Sequence, residues 1–240
     1  MRFRLPDCGL LLLLGSSCFA HQAPRGDPPP PLSASTRAVL FGGRTWAIRA
    51  SGEGQVPGPN DWSDREDAVW VDDGGLHLVL RRDGDRWRGV EMSTVLPPEA
   101  VHVQATVASP LSVLPAEAVF GLFVYRDDDH EADIELSRWG SPHIGTNGQF
   151  AVAPYGNDQK HRFQLDPAAG GSELVLDWRV DRVAFEARQS GRVLAEWRDT
   201  GERWRVRDGY RLHLNLWLYE GRPPADGKDV EVVLSELVVR

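Results

Sequence analysis

Phe120-Gly121-Leu122-Phe123-Val124-Tyr125-Arg126-Asp127-Asp128-Asp129-His130-Glu131-Ala132-Asp133-Ile134-Glu135-Leu136-Ser137 holds two short runs with apolar residues at every second position or denser, separated by an acidic segment. Each run predicts a β-strand, over Phe120–Arg126 and Glu131–Ser137. Side chains alternate along a strand, so Glu131, Asp133 and Glu135 project to one face and Ala132, Ile134 and Leu136 to the other. One face is acid and the other is core. Acidic residues are poor strand formers, and like charges at successive same-face positions repel, so local stability does not account for the pattern. Crowded carboxylates push one another's pKa values apart, which leaves one protonated as a general acid while another stays ionised as a nucleophile. Retaining glycoside cleavage uses such a pair about 5 to 5.5 Å apart. Extension separates the Cα atoms of Glu131 and Glu135 by about 13 Å, so the side chains must lean inward to close the gap. A solvated acidic stripe on an outer strand has the same spacing.

The period of two continues in both directions. Strands are predicted at Thr45–Ala50, Ala68–Val71, Leu76–Arg81, Trp87–Thr94, Val101–Ser109, Gly148–Ala153, His161–Leu165, Glu173–Val180, Val183–Arg188, Arg192–Trp197, Arg211–Tyr219 and Val230–Val239. Turn-forming sequences separate them, among them Asp72-Asp73-Gly74-Gly75, Asp83-Gly84-Asp85, Ser190-Gly191 and Asp226-Gly227. No helix is expected. Some fourteen short strands in one domain imply two packed antiparallel sheets, and the lack of a fixed repeat argues against a propeller or solenoid.

The chain has 240 residues, 41% hydrophobic and 26% charged, with a formal net charge of −8. This balance gives no positive field for nucleic acid, which is excluded as a partner. Arg2 and Arg4, the apolar run Gly9–Gly15 and the small-residue pattern Cys18-Phe19-Ala20 read as a signal peptide over residues 1–20, hence a secreted or periplasmic protein. A rival reading makes Cys18 the acylated residue of a lipid anchor. The apolar run is too short for a membrane-spanning helix. Residues 21–37, with Pro28 to Pro31 consecutive, form a stiff linker, and the folded domain covers 38–240. Both cysteines, Cys8 and Cys18, lie in the leader, so the domain has neither disulfide nor thiol nucleophile.

Glu131-Ala132-Asp133-Ile134-Glu135 resembles the Glu-x-Asp-x-Glu signature of glycoside hydrolase family 16, the retaining β-glucanases that include lichenases and laminarinases. Asp177-Trp178-Arg179, followed by a strand pair around Gly191, is similar to that family's Trp-Arg hairpin, and Leu214-Asn215-Leu216-Trp217 is similar to its Asn-Leu-Trp segment. Glu91 resembles the acidic residue the family places on a strand lining the sugar cleft. By this resemblance the fold would be an all-β jelly-roll sandwich of two curved antiparallel sheets, with polysaccharide lying in the concave face. Glu131 would be the nucleophile, Glu135 the acid/base and Asp133 the residue between them that tunes their charge. Two positions depart from lichenases: Asp129 stands where they carry a Trp, and Ser93 where they carry an Arg.

Trp217 and Asn215 share a strand face, suited to stacking on a sugar and bonding a hydroxyl, although a core Trp beside a satisfied Asn fits the same spacing. Trp139 suits either stacking at the cleft or capping the core. Trp46, Trp62, Trp70, Trp87, Trp178, Trp197 and Trp204 are assigned to packing or rim. Asp127-Asp128-Asp129-His130 resembles a hard-cation loop, which would make a structural calcium site, but reads more readily as a solvated turn. The seven His show no zinc spacing and no Gly-x-Ser-x-Gly elbow is present, so neither a catalytic metal nor another cofactor is expected. Two functions follow: a monomeric retaining endo-glycosidase or transglycosylase on a β-glucan or related polysaccharide, or a non-catalytic carbohydrate-binding jelly roll of the cell surface.

Overall fold

The computed structural model describes residues 37–50, 57–98, 101–156, 158–205 and 208–240. The segment expected to be a signal peptide, nearly all of the expected Pro-rich linker and both cysteines lie outside the described residues. All fourteen predicted strands are present with boundaries shifted by at most a few residues, joined by two more, β1 (Ala38–Phe41) and the two-residue β3 (Asp61–Trp62). Among the described residues the only helical turns are short 3-10 segments.

The path through the sheet begins at an edge. β11 (Lys160–Phe163) pairs with β10 (Gly148–Val152), then come β9 (His130–Leu136), β8 (Ala118–Asp127), β15 (Arg211–Leu218) and β6 (Arg86–Val95), with β2 (Arg44–Ile48) also on β6. The second half runs β5 (Gly75–Asp83), β16 (Val230–Val239), β7 (Val101–Val107), β12 (Ser172–Trp178), β13 (Arg182–Gln189) and β14 (Arg192–Thr200), with β4 (Val69–Asp72) on β5. The halves meet at the β5–β6 hairpin, which stays paired only from Arg81–Asp83 to Arg86–Arg88. Beyond that the strands part, β5 joining β16 through Leu76–Leu80 and β6 joining β15 through Val90–Val95. One antiparallel path thus folds over into two layers, the expected sandwich.

Alternation puts the core between the layers. On the first sheet Phe150, Ile134, Leu122, Leu214 and Met92 occupy one cross-strand row, and all are fully buried. Leu76 and Leu78 of β5, Val103 and Ala105 of β7, and Leu176 of β12 meet them from the second sheet in one continuous cluster. Aromatic rings tie the sheets together: Phe150 stacks on Phe185 of β13 with centroids 5.2 Å apart and touches Phe163 at 4.5 Å, while Phe185 stacks on Trp197 of β14. Trp178 and Trp204 are buried in the same cluster, as the sequence implied for them.

Removing the Phe150 ring leaves a cavity that two rigid sheets cannot close. Phe150→Ala is expected to destabilise the domain by about 3–5 kcal/mol, read from the urea midpoint at unchanged slope.

Candidate active site

The first sheet has a second face, turned away from the core, and its residues pair across strands in rows. Arg162, Gln149, Glu135, Gly121, Asn215 and Glu91 form one row from β11 to β6. Lys160, Ala151, Asp133, Phe123, His213 and Ser93 form the next, and Glu131, Tyr125 and Arg211 a third. The three acids of β9 therefore stand side by side with the Glu91, Asn215 and His213 side chains, although nothing local brings them together. This face is nearly shut from water: Glu131, Asp133 and Glu135 are 1%, 0% and 1% exposed, and Glu91, His213, Asn215 and Trp217 are buried too. The face opposite the core is therefore a second buried layer, and it is lined with polar groups.

Each acid has a distinct environment. The Tyr155 hydroxyl lies 2.5 Å from Glu131 Oε2 and 2.5 Å from Asp133 Oδ2. A phenol has one proton, so Tyr155 donates to one of the two carboxylates or shares its proton between them. Gln149 donates from Nε2 to Glu135 Oε2 at 2.6 Å. Glu91 takes Arg49 Nη1 at 2.9 Å and His213 Nδ1 at 3.2 Å. Burial pushes the Glu91 carboxyl up, but the hydrogen bond and charge of His213 and the charge of Arg49 outweigh it and hold Glu91 below the usual carboxylate value. Phe123 stacks on His213 at 4.7 Å, fixing its ring.

The neutral lining is under-satisfied. Both amide atoms of Asn215, the indole nitrogens of Trp217 and Trp62, and Gln149 Oε1 are buried without a hydrogen-bond partner. Each such group costs roughly 1–3 kcal/mol unless something outside the chain pairs with it, and alternating hydroxyls on a ligand would do so. Trp62, Val119 and Trp217 form a small apolar cluster of their own, with Tyr219 against it and Arg49 over the Trp62 ring at 4.8 Å. Gly121 makes room for this arrangement: a Cβ there would lie 2.5 Å from Asn215 Oδ1.

Asn215 and Trp217 thus share the hollow with the acids, and Glu91 reaches it already engaged by a cation and an imidazole. Trp139 follows β9 at a left-handed φ of 46°, its N–H bonded to Ser137 Oγ at 2.8 Å, and the Arg162 guanidinium covers its ring at 4.1 Å. Trp139 is buried at the rim of the site rather than in the main core. Trp62, expected in packing or at the rim, joins the site, as do Tyr155 as a carboxylate partner, Lys160, Arg162 and Arg211, none of which local pattern had marked. The Arg211 guanidinium reaches across from β15 and donates to Ser93 Oγ at 3.0 Å, bringing a cation to the position where Ser93 departs from the lichenase pattern. At the acidic turn, Asp127 Oδ1 accepts from the Asp129 N–H and contacts His130 Nδ1, and among the described residues no cluster of three or more His, Cys, Asp and Glu is arranged to hold a metal. The segment is a self-bonded turn.

The two-layered antiparallel sandwich is a jelly roll, the fold also seen in solved family 16 glycoside hydrolases. A family 16 glycosyl hydrolase from Mycobacterium smegmatis aligns over 91% of this chain and 96% of its own, with a TM-score of 0.61 at 16% identity. A Bacillus licheniformis β-glucanase aligns over 81% and 90%, with a TM-score of 0.57 at 18% identity. A Mycobacterium tuberculosis protein described as a pseudo β-1,3-glucanase aligns over 81% and 90%, with a TM-score of 0.61 at 16% identity. No family model matches the sequence, and none of the curated proteins matches it.

Because Glu91 is depressed in the folded state, its stabilising effect is present above the ordinary carboxylate pKa and is lost as pH falls through the lower folded value. The melting temperature of the wild-type chain should therefore drop as pH is taken below about 4. Glu91→Gln should melt lower at neutral pH and show a shallower acid decline in a series of circular-dichroism melts. An unchanged acid limb would remove Glu91 from this role.

Proposed function

We propose that the chain is a retaining glycoside hydrolase that cleaves internal bonds of a β-glucan or related polysaccharide, or transfers the cleaved chain to a second sugar. The observation that carries this reading is the row of three buried carboxylates on one face of β9, with Tyr155 on the first two and Gln149 on the third. Glu131 attacks the anomeric carbon while Glu135 gives its proton to the leaving oxygen, and a covalent glycosyl–enzyme ester forms at Glu131. Glu135, now a carboxylate, takes a proton from the incoming water or sugar hydroxyl, whose oxygen displaces Glu131. Asp133, sharing Tyr155 with Glu131, adjusts the charge on the nucleophile. Asn215, Trp217 and Trp62 present unpaired hydrogen-bonding atoms and ring faces to the polysaccharide. The leader-like start and the Pro-rich stretch support an exported domain over residues 38–240, with Cys18 acylation as the alternative way of holding it at the membrane.

A second reading, a glycan-binding protein without catalysis, is favoured by the near-complete cover over the acids and by the departures at Asp129 and Ser93. The two separate cleanly. Purified chain should release reducing ends from a β-glucan with the β-configuration retained in the first-formed product, as followed by proton NMR. Glu131→Gln should abolish release, and Glu135→Gln should lower it by at least about a hundredfold, the lower end of what a positioned acid–base group contributes. Full activity in Glu131→Gln would remove this mechanism, and binding without any cleavage by the wild-type chain would select the second reading.

A further inference from the structure

Three cations stand on the polar face of the first sheet, and none forms an ion pair among the described residues. Lys160 and Arg162 lie on β11, two strands from β9 on one side, in register with Asp133 and Glu135 respectively. Arg211 lies on β15, two strands from β9 on the other side, in register with Glu131 through Tyr125. The Lys160 ammonium sits over the Tyr155 ring at 5.6 Å, Arg162 over Trp139 at 4.1 Å, and one Arg211 amino nitrogen is buried with no hydrogen-bond partner. Most of the domain's other cations are paired: Arg49 with Glu91, Arg179 with Asp177, Arg188 with Glu173 and Glu186, Arg81 with Asp67. In a chain of net charge −8, these three cations face aromatic rings and a hydroxyl in place of carboxylates.

Burial lowers the Lys160 ammonium's pKa, and the charges of Glu135 and Asp133 pull against that lowering. They do not touch it. At about 4.8 Å per strand, the three cations lie about 10 Å to either side of β9, roughly one or two sugar residues from a scissile bond held there. Charges at that distance steer and hold a ligand rather than complete the catalytic group.

We propose that the cleft takes an anionic polysaccharide, one bearing carboxylate or sulfate groups on the sugars flanking the cleaved bond, with Lys160 and Arg162 binding one charged flank and Arg211 the other. The proposal rests on the reading of this hollow as a glycan cleft. Arg162 suits the role twice over, since its guanidinium stem is already ordered on Trp139 and so loses less freedom on pairing with an oxyanion. Repulsion by Glu131, Asp133 and Glu135 restricts the ligand's charges to the flanks, which makes the spacing of charged sugars along the chain a determinant of specificity.

The test uses the full chain carrying Glu131→Gln, which binds without turnover, in affinity electrophoresis through gels of four polymers. These are a β-glucan, the same glucan carboxymethylated, a polyuronate and a sulfated galactan. At least tenfold stronger retention by one or more anionic polymers than by the neutral glucan is expected, falling with added salt. Adding Lys160→Gln with Arg162→Gln should remove most of that preference and flatten its dependence on salt, and Lys228→Gln, outside the cleft, should leave the preference unchanged. The carboxymethyl and uronate arms against the sulfate arm distinguish which anion is read. Equal retention by neutral and anionic glucan, retention by none, or a preference that survives the double variant overturns the proposal. Cation-dependent retention by an acid polymer that the wild-type chain never cleaves would leave this proposal standing and remove the hydrolase. Cleavage of neutral glucan with no charge preference would do the reverse.

Discussion

Everything in this domain depends on a sheet that is buried on both faces with opposite chemistry. In β9, β8, β15 and β6 the odd-numbered set of one strand must face the hollow while its neighbours face the core, and the cross-strand register keeps those sets aligned over four strands. A slip of one residue would send Glu131, Asp133 and Glu135 into the layer occupied by Phe150, Leu122 and Leu214. No counter-charges exist there, so the alternative registers are closed from both sides at once. The site is therefore as precisely positioned as the core, because the same strands define both.

A polar interior needs partners, and the chain supplies them unevenly. Charged groups near the far end are matched, Arg49 and His213 against Glu91, whereas Asn215, Trp217, Trp62 and one side of Gln149 are left wanting hydrogen bonds. A domain selected for stability alone would fill such positions with apolar residues. Keeping them polar and unmatched exchanges folding free energy for recognition, the pattern expected where local rules are broken at a working surface.

Much of the fold was legible because period-two alternation is a local signal. All fourteen strands could be read from it, and so could the common face of the three acids and of Asn215 with Trp217. The two strands missed were short: β3 has two residues, and β1 is a four-residue run ending at Gly42-Gly43. What could not be read was which faces meet. Tyr155 reaches carboxylates 22 and 24 residues away, and Arg211 bonds Ser93 across 118 residues, so their roles exist only after the sheet closes. Trp62 looked like any other packing Trp until β3 was laid against β6 and its ring beside Trp217. Arg162 and Lys160 alternate with His161 and Phe163 on an edge strand, a pattern that says nothing of the acids two strands away.

Gly121 carries a consequence of a different kind. It occupies the row between Glu135 and Asn215, and the hollow has its depth there because one position in the sheet holds no side-chain carbon. A single-base change from glycine to alanine would press on the Asn215 amide without altering charge, and strand geometry tolerates alanine readily. In the proposed glycan site that change would spoil the fit to a sugar while the three acids remained intact. Among descendants of such a chain, the signature of the acids would outlive the proposed activity, and the residue at this notch would mark the difference.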